Sequence, residues 1–348
     1  MSLYQMQFMD RIPDHALVND AVDLAGSEFQ RGAAGFVNGV LRQLARRRPW
    51  QSEAFATECP PWAAVSLPEW LWNRWFARFG SGTARQYALS LNRPPTNSVR
   101  FNRDLAIDSE LSSKLVPSDI VPGAYFWKGA GEELPAGLAG FQDEASQLVP
   151  HLFGNLYGRR IWDVCAAPGG KSAVLRKLCG DSGIVISSDI HKSRVARLAR
   201  FLELSSGGAV VLVVDSVQWP PFRIEFDAVL VDAPCSGLGT LRRNPEIKWR
   251  FSPGRFGSLQ KSQVSILSSA ASAVRIGGLL LYSTCSTEPE ENEQVIQQFL
   301  NSHRDFRLVK PEHPRGIESW IDSAGLVRTF PTERLWDGFF AGLMLRES

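Results

Sequence analysis

Asp232, Cys235 and Cys285 are the residues of this chain best suited to chemistry. Asp232 closes an unbroken apolar run, Ala228 to Val231, and Cys235 follows it through Ala233 and Pro234. Cys285 follows a second such segment, Gly278 to Ser283. A thiolate is a strong nucleophile, and a helix N-terminus or a nearby cation lowers its pKa. Taken singly, a cysteine is more often a small buried hydrophobe; two at strand ends weaken that reading. A basic run, Arg242, Arg243, Lys248 and Arg250 with Trp249 among them, comes soon after Cys235 and suits a polyanion. Together they suggest addition to a nucleobase. A thiolate adding at carbon 6 of cytosine pushes electron density onto carbon 5, which can then take a methyl group from a sulfonium donor. Loss of the carbon 5 proton and elimination of the thiolate finish the reaction, and a second thiol could help release the product.

A ligand site is readable upstream. Cys165, Ala166, Ala167, Pro168, Gly169, Gly170 and Lys171 lie between a strand and a helix. The segment is not a P-loop, because Cys165 stands where that motif needs its first glycine, and GxGxxG is absent too. What remains is a Gly-Gly turn that lets backbone approach a ligand at a helix N-terminus. Asp189 ends the next strand, at the position where an acid accepts bonds from ribose hydroxyls. Asp215 ends the strand after that and could contact an adenine amino group. One acid at a strand end is often only a turn residue; Asp189, Asp215 and Asp232 in succession suggest a cleft for an adenosine ligand without a triphosphate.

The elements that must hold these residues follow a strand–turn–helix rhythm from residue 141 onward. Strands are expected at Arg160–Val164, Gly183–Ser188, Ala209–Val214, Asp227–Val231 and Gly278–Ser283, with helices at Phe141–Phe153, near Gln260–Val274 and at Glu290–Leu300. Thr287 and Pro289 read as the cap and first turn of that last helix. Leu326–Arg346 reads as two strands around a turn. Repeated βα units imply a doubly wound parallel sheet with its ligands at the carboxyl ends of the strands. Before it, residues 93–140 read as a small α/β subdomain, with short strands at Ser98–Asn102 and Ala124–Lys128. Residues 62–92 are helical, with Trp72, Trp75, Phe76 and Phe79 as a core stripe ended by Gly80 and Gly82. Residues 1–60 are helical as well: Phe36, Val37, Val40, Leu41 and Leu44 recur at helical spacing. Arg31, Arg42, Arg46, Arg47 and Arg48 in that region read slightly better as a solvated helix end than as a phosphate-binding face. The expected divisions are thus 1–60, 61–140 and 141–348.

Composition bounds the class without deciding it. The chain has 348 residues, 44% hydrophobic and 21% charged, which excludes a disordered polymer. A net charge of +2 predicts no partner by itself. The five cysteines are spread out with no CxxC pair, against zinc or a disulfide framework and for a reducing compartment. No segment reaches the roughly 18 apolar residues of a membrane span, and no signal-length apolar run opens the chain. We therefore expect a cytoplasmic protein with no metal.

Three separated segments carry a resemblance. VCAAPGGKS, VDAPCSGLGTLRRNPEIKW and YSTCSTEPEENE resemble the RNA (cytosine-5) methyltransferase family in its bacterial ribosomal small-subunit branch, and FQDEASQLV and DGFFAGLML extend the likeness. PDHALVNDAVDLA and GFVNGVLRQLARR resemble the end of that branch's NusB-like RNA-binding helical domain. The resemblance implies a Rossmann-like methyltransferase sheet preceded by a small α/β subdomain and a partial NusB-like segment. It implies S-adenosylmethionine held by Cys165 to Lys171, with Asp189 on ribose, Asp215 near adenine and Asp232 near the methyl donor and the cytosine. It makes Cys285 the nucleophile and Cys235 the release residue, the reverse of DNA cytosine-5 methyltransferases, where the Pro-Cys thiol attacks. Arg242, Arg243, Lys248 and Arg250 would hold phosphates of small-subunit ribosomal RNA, and a monomer with no DNA or membrane partner is expected. Only the end of the branch's helical domain is matched, as expected for a truncated chain or a misplaced initiation codon, which would leave apolar helix faces exposed. Transfer RNA as substrate, or a non-catalytic assembly factor on the same fold, are the competing readings.

Overall fold

The computed structural model describes residues 1–29, 32–52, 59–101, 109–129, 134, 139–206, 210–218, 220–312, 314–330, 332, 334 and 336–348. Arg31, Asn102 and Ala209 lie outside the described residues. The chain forms two compact units, Met1–Trp72 and Asn73–Ser348.

The first unit is helical, with helices Ser2–Phe8, Asp14–Glu28 and Ala33–Arg47. Met6, Leu17, Val18 and Leu41 form its core, with Val22 and Val37 packed alongside. The apolar face expected on the third helix is only partly used: Leu41 is buried, whereas Phe36 is 72% exposed. Arg46 and Arg47 occupy that helix's last turn, where cations suit the carbonyl end. Arg48, in a left-handed conformation, instead reaches Asp14 at 2.8 Å.

The second unit contains both sheets. The first is antiparallel, in the order β2-β3-β1-β4, from β1 (Ser98–Phe101), β2 (Leu115–Pro117), β3 (Ala124–Trp127) and β4 (Ala139–Phe141). The second comprises β5 (Arg160–Asp163), β6 (Ile184–Asp189), β7 (Val210–Val213), β8 (Phe226–Asp232), β9 (Val274–Thr284), β10 (Phe306–Val309), β11 (Val327–Arg328) and β12 (Phe340–Arg346). Its order is β10-β12-β9-β8-β5-β6-β7, with β11 on β12. Strands β9 to β7 along this path are parallel, and β12 runs antiparallel to β9 and β10. The C-terminal strand pair was expected; β10 carries no distinct pattern in the sequence.

Why the central strands are apolar throughout follows from their two covered faces. Val229, Val231, Leu280 and Tyr282 pack on Ile266, Leu267, Val295 and Phe299 from the helices Phe256–Ala271 and Glu293–Ser302. The alternate residues Ala228, Leu230 and Leu281 face Leu148, Val149 and Leu175 from the helices Glu144–His151 and Gly170–Cys179. Successive residues of one strand therefore point to opposite layers.

One expected helix boundary holds and one moves. Gly80 does end a helix: its φ of +76° and ψ of 166° are non-helical, and a second helical segment starts after this kink and runs on to Leu91. The helix expected from Glu290 starts at Glu293, with Asn292 at its cap. Thr287 and Glu288 turn inward: the Thr287 hydroxyl donates to Glu288, and Glu288 accepts from the Trp75 indole at 2.9 Å and from Arg74.

Candidate active site

The site forms where the strand order reverses. β5 has β6 on one side and β8 on the other, so the loops leaving β5 and β8 diverge and open a crevice. The loop after β5 is anchored on both sides. Val164 N–H donates to Leu230 of β8 at 2.9 Å, and Ala166 N–H donates to Ser188 of β6 at 2.7 Å. The turn then requires Gly169. Its φ is +115°, and a Cβ there would press into Phe201 and Leu198. Lys171 lies in the first turn of the helix Gly170–Cys179. Its ammonium donates to Asp232 Oδ2 at 2.7 Å and to Ser146 at 3.1 Å, and it lies 5.0 Å from the Phe339 ring centre. Burial works against the charged amine, but the Asp232 carboxylate outweighs it and holds Lys171 above its ordinary pKa. Asp232 Oδ1 accepts from Ser283 at 2.8 Å, so both of its oxygens are oriented.

The two cysteines meet for a topological reason. Parallel pairing sets Asp232 opposite Ser283, and Ala233 N–H donates to Ser283 at 2.8 Å. Each strand then turns once more, and Cys235 Sγ arrives 3.3 Å from Cys285 Sγ. The bond to Cys285, with burial, raises the Cys235 thiol well above its ordinary pKa. Burial likewise raises Cys165.

A cavity of about 420 Å³ gathers the predicted residues: Cys165, Ala167, Asp189, Asp215, Asp232, Cys235 and Cys285 all line it. Asp189 Oδ1 accepts from the His191 N–H at 2.9 Å. Asp215 accepts from the Val217 N–H at 3.1 Å and from Gln218 at 2.9 Å. Two apolar side chains of the same cavity, Ile190 and Val217, are 50% and 51% exposed. A smaller cavity of about 200 Å³ is lined by Ala166, Pro168, Gly170 and Lys171. Cys165, Ala167 and Asp232 line both.

This donor set fits an adenosyl ligand. Carboxylates at two strand ends suit ribose hydroxyls and an amino group, and exposed Ile190 and Val217 give a purine faces to rest against. The glycine turn brings backbone close without a side chain in the way.

The basic run behaves differently from its expectation. Arg242 is buried and donates to the Ser90 carbonyl at 3.2 Å. Arg243 pairs with Asp143 at 2.9 Å and Asp337 at 3.1 Å, and donates to the Thr96 carbonyl. Lys248 is also buried, and burial lowers its pKa. Of the four, Arg250 is exposed, beside Trp249 at 62% exposure. Arg242 and Lys248 are thus internal and Arg243 is held by two acids, which leaves Arg250 as the exposed cation of the four.

Residues missed in the sequence also matter here. Asp163, inside β5, is fully buried and lines the smaller cavity. Ser172 donates to its Oδ2 at 2.6 Å, while Oδ1 has no hydrogen-bond partner among the described residues. Burial chiefly, with nearby Asp232, pushes this carboxyl up to about 7. Its signal was the one used for Asp189, an acid at the carboxyl end of a strand. Glu291 is buried too and was overlooked as part of a helix.

The chain is similar to known proteins along most of its length. The family model described as 16S rRNA methyltransferase RsmB/F matches residues 155–345, and the NusB family model matches residues 1–46. The chain is 32% identical to the probable ribosomal RNA small subunit methyltransferase B of Bacillus subtilis (strain 168), over 98% of this chain and 80% of that protein. It is 33% identical to ribosomal RNA small subunit methyltransferase B of Thermus thermophilus, over 93% of this chain and 76% of that protein. Among solved structures, that of PH0851 is similar with a TM-score of 0.82 at 29% identity, covering 99% of this chain and 80% of that one. NSun6 from Pyrococcus horikoshii with SFG shares the fold, with a TM-score of 0.69 at 18% identity over 81% of this chain and 98% of that one. The chain belongs to the 16S rRNA methyltransferase RsmB/F family.

Proposed function

We propose that this protein methylates carbon 5 of a cytosine in small-subunit ribosomal RNA, using S-adenosylmethionine and a covalent cysteine–cytosine adduct. The observation that carries the reading is the thiol pair, 3.3 Å apart, on the wall of the cavity that also holds Asp189, Asp215 and Asp232. S-adenosylmethionine supplies an electrophilic methyl group when bound. Asp189 and Asp215 would hold its ribose and adenine, and Ile190 and Val217 would give the purine an apolar surface. Lys171 fixes Asp232 between the two cavities, where it can orient both the donor and the cytosine.

The Cys285 thiolate adds to carbon 6 of the cytosine, and carbon 5 becomes nucleophilic and takes the methyl group, with S-adenosylhomocysteine as the leaving group. Solvent water then takes the carbon 5 proton, and the electron pair of that bond re-forms the carbon 5–carbon 6 double bond as carbon 6 releases the Cys285 thiolate, which restores the aromatic base. Cys235, in hydrogen-bond contact with Cys285, assists this release. The target base must be unpaired or flipped for the thiolate to reach carbon 6. Trp249 and Arg250 give an exposed aromatic and an exposed cation for the RNA strand.

We take the working form to be a cytoplasmic monomer without DNA or membrane partners. Among the described residues no helix is long and apolar enough to cross a membrane. The test is methyl transfer from labelled S-adenosylmethionine to unmodified small-subunit RNA, followed by nucleoside digestion and mass spectrometry. Label in 5-methylcytidine is expected. Label in another nucleoside, or transfer to transfer RNA alone, overturns the reading.

A further inference from the structure

We infer that Glu291 is a positioning residue that sets the spacing of the two thiols, an inference that rests on the cysteine chemistry proposed above. Glu291 lies between the Cys285 segment and the helix Glu293–Ser302, and it is fully buried. A buried carboxylate needs several donors to replace its lost water. Four converge on this one. Oε1 accepts from the Ser236 N–H at 2.7 Å and from Gln263 at 3.1 Å. Oε2 accepts from the Ser236 hydroxyl at 2.5 Å and from the Ser286 hydroxyl at 2.6 Å.

The donors are placed where they control the sulfurs. Ser236 follows Cys235 directly, and Ser286 follows Cys285. Gln263 donates to the Pro234 carbonyl as well, at 3.0 Å, so the turn is held on the other side of Cys235 too. The neighbouring Asn292 does the same for Cys285. It accepts from the Thr284 hydroxyl at 2.6 Å and donates to the Ser286 carbonyl at 2.9 Å. Tyr282 of β9 donates to the Glu291 carbonyl at 2.6 Å, tying the backbone of the turn to the sheet. One carboxylate thus joins two loops that are separate in sequence, each carrying one of the sulfurs 3.3 Å apart. Glu291 reaches the sulfurs only through the serines. Its contribution is to hold Cys285 for attack and Cys235 for release, a geometry in which about 1 Å of misplacement costs on the order of a hundredfold in rate.

The hydrogen-bond roles also predict which substitution is tolerated. The Ser236 N–H and Gln263 can only donate here, so one side of residue 291 must stay an acceptor. The two hydroxyls can rotate and accept instead. Gln fills both requirements, with its oxygen toward the N–H donors and its amide nitrogen toward the hydroxyls. Ala fills neither.

Wild-type, Glu291→Gln and Glu291→Ala proteins are compared in three assays. These are methyl transfer to small-subunit RNA, S-adenosylmethionine affinity by calorimetry, and bridging of thiols by dibromobimane with the bridged peptides mapped by mass spectrometry. Glu291→Ala is expected to lower kcat by about a hundredfold and to lose the Cys235–Cys285 bridge, with cofactor affinity kept within about threefold. Glu291→Gln is expected to keep the bridge and to stay within about tenfold of the wild-type kcat. A Glu291→Ala protein that bridges its thiols and turns over like the wild type overturns the inference, and so does equal damage from Gln and Ala. Should Glu291→Ala not fold, the Ser236→Ala/Ser286→Ala double variant replaces it. That variant removes both hydroxyl bonds to Oε2, and wild-type bridging and kcat in it overturn the inference. A wild-type protein that forms no 5-methylcytidine rejects the parent reading alone, because the bridging comparison still decides the spacing.

Discussion

Lys171 donates to Asp232 across 2.7 Å, and Asp232 stands on the wall shared by the two cavities of the site. The pair joins the first turn of a helix to the end of a strand, so it fixes a charged group at the switch point of the sheet. Among the described residues, Asp232 is the one of Asp189, Asp215 and Asp232 with an ammonium partner, and its second oxygen is held by Ser283.

Lys171→Met tests that pairing. The methionine keeps most of the stem volume and removes the ammonium. Cofactor affinity and turnover should both fall, turnover by about tenfold or more, with a stability loss of roughly 1–3 kcal/mol from the unpaired carboxylate. Calorimetric titration with S-adenosylmethionine and a urea melt measure the two effects. Wild-type affinity in this variant would show that Asp232 needs no orienting cation.

Asp163 gives a pH prediction. Burial pushes its carboxyl from the ordinary value of 3.8 up to about 7 in the folded protein. The folded state therefore holds a proton that the unfolded state releases. Its contribution to stability is full below about pH 3.8 and is lost as pH rises to about 7. Asp163→Asn removes this dependence, while its side-chain oxygen can still accept from Ser172. The variant should gain on the wild type between pH 5 and pH 8, by on the order of 1–3 kcal/mol. Paired denaturant melts at the two pH values read the difference, and a constant gap between the proteins would contradict it.

The basic segment separates into two kinds of cation. Arg243→Ala leaves buried Asp143 and Asp337 without their partner and should cost about 2–4 kcal/mol of stability. Arg250→Ala should leave the melt unchanged, weaken RNA binding, and reduce the slope of log affinity against log salt by about one. A destabilised Arg250→Ala, or an Arg243→Ala protein with only an RNA defect, would reverse the assignment.

These contrasts show what the sequence carries and what it cannot. Strand-end acids and cysteines were legible because a strand buried on both faces is an unbroken apolar run, and the residue that ends it stands out. The glycine turn was legible for a similar reason, since Gly169 meets a steric demand that no other residue meets. The 3.3 Å contact of Cys235 with Cys285 was not, because it depends on which strands are neighbours and on their register. The same limit hid the burial of Arg242 and the ion pairs of Arg243. A local run of cations looks like a phosphate surface when the acids that neutralise Arg243 lie 100 and 94 residues away. Glu291 was hidden by its neighbours: the pattern after Pro289 reads as helix, yet tertiary bonds hold Glu288 to Asn292 out of it.

The central claim is that Cys285 attacks and Cys235 releases. The most direct measurement incubates wild-type, Cys235→Ala and Cys285→Ala proteins with unmodified small-subunit RNA and labelled S-adenosylmethionine, then resolves them on a denaturing gel. Cys235→Ala should accumulate a protein–RNA band that survives denaturation, and Cys285→Ala should give neither that band nor 5-methylcytidine. A Cys285→Ala enzyme that turns over at the wild-type rate, or that itself traps the adduct, would contradict the account.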